Sequence, residues 1–187
     1  MELGIVKGGT PYSSSLIQTK KTYKTMNKLI SFIFTFLITM GLSAQNKKTV
    51  VAYFSASGVT AGVAKSLAKE HNADIYAIEP AQKYTSDDLN WRNNKSRSSV
   101  EMKDSKSRPA LKESKSLAQY DVIYIGYPIW WNLAPRIINT FIEQAYMDGK
   151  TVIPFATSGG SSITQSVSDL KSLYPNIKWQ TGMLINK

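Results

Sequence analysis

Short apolar runs alternate with stretches of helical periodicity along most of this chain, and that alternation narrows the possible folds more than any other feature. The runs are 49–54 (TVVAYF), 74–79 (DIYAIE), 121–126 (DVIYIG), 151–156 (TVIPFA) and a weaker one over 177–185, broken by Gly182. They are continuous in polarity and rich in Val, Ile and Tyr, as strands buried on both faces of a parallel sheet are. Between them, Val59, Val63, Ala64, Leu67 and Ala68 share one face of a helix predicted over 58–70. Ala134, Ile137, Ile138, Phe141, Ile142 and Ala145 form an apolar stripe at helical spacing, with Pro135 suited to the first turn. Ile163, Val167, Leu170 and Leu173 mark a third helix. This order predicts an α/β fold with a doubly wound, five-stranded parallel sheet. Pro154 strains the reading, because a central strand should not lose an N–H; it marks a bulge or the strand's start. The fifth run lies close to residue 187, so the reading includes a sheet lacking the C-terminal helix that would cover one face.

In such sheets ligands bind outside the carboxyl ends of the strands, at the topological switch point. Three loops at strand ends are unusual. The first is Ser55, Ala56, Ser57, Gly58, Val59 and Thr60, between strand one and helix one. It opens a helix whose free N–H groups and dipole favour an anion, so it can cradle a phosphate without a basic side chain. It lacks the GK[S/T] of a P-loop, and no G-x-G-x-x-G occurs in the chain. The plain alternative is a Ser N-cap followed by a Gly turn. The second loop, GYPIWWN over 126–132, contains two adjacent tryptophans. Either both pack on the core or one indole faces a flat aromatic ligand. The third, Thr157, Ser158, Gly159, Gly160 and Ser161, offers backbone N–H groups and close approach; the alternative is an ordinary capping loop with Ser161 or Ser162 as N-cap.

Together these loops resemble those of the flavodoxin family, over most of residues 48–187. SASGVT is similar to that family's phosphate-binding loop, usually S/T-x-T/S-G-x-T. GYPIWW and FATSGGS are similar to its two loops flanking the isoalloxazine ring. YTSDDLNW and the Ser-Arg pair at 96–97 are similar to a flavodoxin-like branch common in bacterial genomes. The resemblance implies a flavodoxin-like fold with FMN as cofactor. Ser55, Ser57 and Thr60, with the N–H groups of Ala56, Ser57, Gly58, Val59 and Thr60, would hold the FMN phosphate. Pro128, Ile129, Trp130 and Trp131, with Thr157, Ser158, Gly159 and Gly160, would line the flavin. The family also tolerates a proline where Pro154 lies. The implied activity is electron transfer, to a redox partner protein or a small-molecule acceptor, with no catalytic acid or base demanded. The alternatives are an FMN-dependent NAD(P)H:quinone-type oxidoreductase on the same scaffold and a non-redox binding module.

The N-terminal quarter reads differently. From Met26 the chain runs Met-Asn-Lys, then 14 apolar residues over 29–42, then Ser43, Ala44 and Gln45. A spanning helix needs roughly 20 apolar residues, whereas a secretory signal needs about 7–15. Residues 26–44 are therefore expected to be a signal peptide and 1–25 an upstream extension. The 48–187 domain is expected to be periplasmic or secreted, with no stable membrane span after cleavage.

The formal charge of +10 needs the same division. Residues 1–44 hold five lysines and one glutamate, which leaves 18 basic against 12 acidic groups. Residues 91–115 alone carry eight basic and three acidic side chains, so nearly all the excess sits in one segment. A nucleic-acid-binding face would need aromatics interleaved with that charge, and only Trp91 is available, so no nucleic-acid partner is expected. There is no Cys, which removes disulfides and thiolate chemistry. The single histidine, His71, is placed at the last turn of helix one, far from Ser57, which leaves a serine hydrolase without its base. No carboxylate spacing among Asp87, Asp88, Glu101 and Asp104 matches a metal site.

Overall fold

The computed structural model describes residues 47–185, together with Met1. The expected extension at 1–25 and signal peptide at 26–44 lie outside these residues. Among the described residues, no helix is long and apolar enough to cross a membrane.

The expected α/β order is present. It runs β1 (Thr49–Tyr53), α1 (Val59–Glu70), β2 (Asp74–Ala77), α2 (Arg97–Lys103), β3 (Val122–Pro128), α3 (Arg136–Gln144), β4 (Thr151–Thr157), α4 (Thr164–Leu173), β5 (Lys178–Trp179) and β6 (Met183–Leu184). All pairings are parallel, in the order β2-β1-β3-β4-β5, with β6 also on β4. The switch point falls between β1 and β3, whose chain connections leave in opposite directions.

The continuous apolar runs are explained by burial on both faces. Val50, Ala52, Ile123, Ile125 and Val152 join the larger cluster under Ile137, Ile138, Phe141 and Leu170 of α3 and α4. Their sequence neighbours Val51, Tyr124 and Phe155 face the other way, against Val63, Ala64 and Leu67 of α1. Gly126 is fixed by this second layer, since a Cβ there would fall inside the buried Phe155 ring. His71 follows α1 as expected; its ring stacks on Tyr124 with centroids 4.8 Å apart.

The edge of the sheet resolves the conflict over Pro154. The fifth run forms two short pieces instead of one strand. The oxygens of Val152 and Ala156 accept from the N–H groups of Gln180 and Ile185 across this edge. Pro154 has the same parity, so its missing N–H faces the gap between β5 and β6. Three steps along β4, from Val152 to Phe155, match four on the edge, from Trp179 to Met183. The extra residue is a bulge on the edge opposite Pro154, which itself takes neither expected role: it lies mid-strand, in unbroken register with β3.

Two further differences are local. Pro135 precedes α3 as its N-cap, one place before the first turn, because its ψ of 142° is still extended. Residues 78–121 form an excursion between β2 and β3 that contains the unexpected α2. It is closed at its neck by an antiparallel bridge between Pro80 and Leu111. Ser96 caps α2 by accepting from the Ser99 N–H.

Candidate functional site

At the carboxyl end of β1, the Ser55 hydroxyl accepts from the Gly58 N–H at 3.1 Å, which folds the chain back into α1. Gly58 sits at φ 90°, a conformation that L side chains rarely adopt, so glycine is required there. No side chain caps α1 and no acid lies in its first turn. The first N–H groups of a helix have no intrahelical partner, so the positive end of a 12-residue helix faces solvent beside the exposed Ser57. A helix end of this kind favours an anion.

Thr60 does not point outward. Its hydroxyl is buried and lies 2.8 Å from that of Thr157 at the end of β4. The pair ties the first loop to the third. Ser158 turns that third loop by accepting from the N–H groups of Gly160 and Ser161. Gly159 and Gly160 are exposed. Neither Ser161 nor Ser162 is the N-cap of α4; Ile163 is, although the Ser162 hydroxyl accepts from the Thr164 N–H.

The loop after β3 separates its two tryptophans. Trp130 and Leu133 exchange both backbone hydrogen bonds around a two-residue turn. The turn residues Trp131 and Asn132 both have positive φ, 47° and 64°, the pattern of a type I′ turn. A bulky aromatic at positive φ is uncommon and strained. Trp130 packs inward, edge-on to Phe54 at 5.7 Å and Tyr84 at 5.4 Å between centroids. Trp131 is thrust outward and stays 46% exposed. The two indoles therefore do not both pack on the core: Trp130 does, and Trp131 does not.

Tyr84 anchors this aromatic wall through charge. Its hydroxyl donates to Glu101 at 2.5 Å, and Arg97 lies over its ring at 4.1 Å while also pairing with Glu101. Burial, then the Glu101 carboxylate, hold the Tyr84 phenol far above its ordinary range. Arg108 and Lys112 likewise pair with Glu143 and Glu79. Three of the eight cations of 91–115 are therefore paired, two of them with acids outside the segment.

The loops enclose a cleft of about 320 Å³ lined by Ala56, Ser57, Leu89, Trp91, Ser98, Pro128, Ile129, Trp130 and Trp131. Six of the expected site residues are brought together here. Ser55 and Gly58 line a second cleft of about 320 Å³ on the β2 side of the same loop, with Glu79, Lys83 and Tyr84. Thr157, Ser158, Gly159 and Gly160 line neither cleft. Leu89, Trp91 and Ser98 are additions to the site from the excursion. Periodicity could not have found them, since their approach depends on the Pro80–Leu111 neck and on α2. One side of the cleft offers apolar and aromatic surface without a titratable side chain, and the other offers Ala56 and Ser57 of the loop that leads into α1, whose Gly58 and Ala61 line the second cleft. A flat aromatic molecule carrying an anionic tail matches both sides.

No curated protein sequence matches this chain. Among solved structures, a candidate flavoprotein of Bacteroides uniformis is 61% identical, with a TM-score of 0.74, over 75% of this chain and 90% of its own. One from Bacteroides eggerthii is 58% identical, with a TM-score of 0.73, over 74% of this chain and 88% of its own. A flavoprotein of Lactobacillus acidophilus solved in complex with FMN is 22% identical, with a TM-score of 0.61, over 74% and 92% of the two chains, and shares the fold. The family model described as Flavodoxin matches residues 48–187, the same stretch that carries the parallel sheet and all three loops. The chain belongs to the flavodoxin family.

Proposed function

We propose that this protein binds FMN and serves as an electron carrier outside the cytoplasm, exported by the leader at 26–44. The observation that carries the reading is the cleft itself, in which Ala56 and Ser57 of the anion loop and the indole of Trp131 line one space. Two features of the chain fit FMN. The N-terminus of α1 has no cap and no acid to compete with a phosphate. The ring end is apolar and aromatic, as a flavin requires. The FMN held by the Lactobacillus acidophilus protein and the two Bacteroides candidate flavoproteins support the same ligand.

FMN supplies the redox chemistry when bound; the protein binds and tunes it. Ser55 shapes the loop, Gly58 permits its turn, and Ser57 with the first N–H groups of α1 would hold the phosphate. Pro128, Ile129 and Trp131 would bound the ring and exclude water, and Trp130 supports them from behind. Thr157 acts through its bond to Thr60, which sets the third loop against the first. The cleft lining holds no side chain that exchanges a proton near neutral pH, which fits a protein that binds and tunes its cofactor.

One observation favours an NAD(P)H:quinone-type oxidoreductase as a second reading. The cleft on the β2 side, with Lys83 at its wall, offers a place for a second phosphorylated ligand beside the same loop. Two measurements test these readings. The purified 45–187 protein should take up one FMN per chain in a visible-absorbance titration and oxidise NADPH no faster than free FMN does. A folded protein that refuses FMN overturns the proposal; rapid NADPH oxidation replaces the carrier with the reductase.

A further inference from the structure

Trp91 is 65% exposed, an unusual cost for a large apolar side chain on a well-fixed segment. The segment is fixed by its own polar groups. The Asp88 carboxylate accepts from both the N–H and the hydroxyl of Thr85. Asn90 accepts from the Arg92 N–H and Asn93 from the Lys95 N–H. The Ser98 N–H donates to the Asp88 carbonyl, which joins these turns to α2. Residues 85–98 thus hold Trp91 in place without burying it. Arg92 lies over its ring at 5.0 Å. Trp91 and Leu89 line the same cleft as Trp131, so two exposed indoles from distant parts of the chain border one space.

That space is about 320 Å³, at the lower end of the roughly 300–1,000 Å³ of small-molecule sites. It accommodates one ring system, not two stacked ones. Trp91 and Trp131 line the same small space, so a ring placed in it has an indole on the excursion side as well as on the β3 side. We propose that Trp91 is a flavin-binding residue, the wall of the ring cleft supplied by the excursion between β2 and β3. The third loop, which brings no aromatic side chain, cannot provide that wall. The assignment rests on the FMN reading above and adds to it a residue and a segment. It also sets a limit on reactivity: a ring covered by Trp91 is screened from bulky donors on that side.

The test is an FMN titration of the purified protein and its Trp91→Ala and Trp91→Phe variants. Flavin fluorescence gives the affinity and the brightness of the bound flavin, and iodide quenching gives its exposure. Trp91→Ala should bind FMN about tenfold more weakly, the cost of one aromatic contact. Its bound flavin should be brighter and more readily quenched by iodide, because an adjacent indole no longer covers it. Trp91→Phe should recover most of the affinity and the shielding from iodide. Wild-type affinity, brightness and iodide exposure in Trp91→Ala would overturn the assignment, as would weaker binding with brightness and exposure unchanged. A wild-type protein that binds no FMN would overturn this proposal together with the function it rests on. A wild-type protein that binds FMN while Trp91→Ala behaves identically would overturn this proposal alone.

Discussion

On the proposed function, the two ends of the ring cleft would recognise FMN by different means. At the Ser57 end the chain uses backbone: a glycine at φ 90°, small side chains, and the first N–H groups of α1. At the Trp131 end it uses side chains, held by packing with Phe54, Tyr84 and Trp130. The backbone end depends on six consecutive residues and would select for charge. The side-chain end depends on three segments far apart in sequence and carries the selectivity for a flat ring. Affinity and discrimination are thus separable, and they can be broken one at a time.

The largest effect is expected at the backbone end. Ser57→Asp places a carboxylate where the phosphate is expected. FMN affinity should fall at least 100-fold, about 2.7 kcal/mol. The same carboxylate complements an uncapped helix, so the ligand-free protein should become more stable by up to about 1 kcal/mol. FMN titration and urea unfolding of one variant read both signs; losses in both would mean that the loop is merely structural.

The floor beneath the two ends comes next. Tyr127 lies inside β3, fully buried, with its hydroxyl 3.2 Å from that of Ser166. Burial pushes its phenol up to about 12. The unfolded chain loses this proton near pH 10 and the folded one near 12, so the folded state binds more protons in that window and stability falls as pH rises through it. The loss attributable to Tyr127 should reach about 2 kcal/mol at pH 12. Urea unfolding at pH 9 and 11 should show the decline, and Tyr127→Phe should flatten it; an unchanged slope assigns alkaline sensitivity elsewhere.

Thr157→Val tests the tie between the first and third loops. It leaves the buried Thr60 hydroxyl unpartnered, at a cost of about 1–2 kcal/mol. The double variant with Thr60→Val should regain part of that loss, and a double-mutant cycle measures it. The smallest effect is expected at the side-chain end. Trp131→Asn removes a bulky side chain from φ 47° and should stabilise the ligand-free protein by about 1 kcal/mol while weakening FMN. If stability does not rise, the turn carries no strain and Trp131 is held outward by packing alone.

These contrasts track what the sequence made legible. SASGVT could be read locally because helix-terminus chemistry is local, and the α3 stripe because its periodicity is close to ideal. The division of labour between Trp130 and Trp131 was not legible, since it depends on Phe54 and Tyr84 arriving from other segments. α2 was missed because seven residues give no periodic signal; its traces are the Ser96 cap and the Arg97 and Glu101 pair one turn apart. The place of Trp91 was missed for the same reason. The ion pairs of the basic run were not legible, because sequence shows the cations but not their partners. Pro154 was flagged correctly as a conflict, and only the pairing register shows that its missing N–H meets a gap.

That gap has a consequence for the protein's solubility. A sheet edge is a template on which a second chain can add a strand, and long regular edges invite aggregation. Here the edge beyond β4 is presented in pieces of two residues, Lys178–Trp179 and Met183–Leu184, offset by a bulge. An incoming strand that matches one piece falls out of step with the other, so the break that accommodates a proline also denies neighbouring molecules a continuous row of hydrogen-bonding partners.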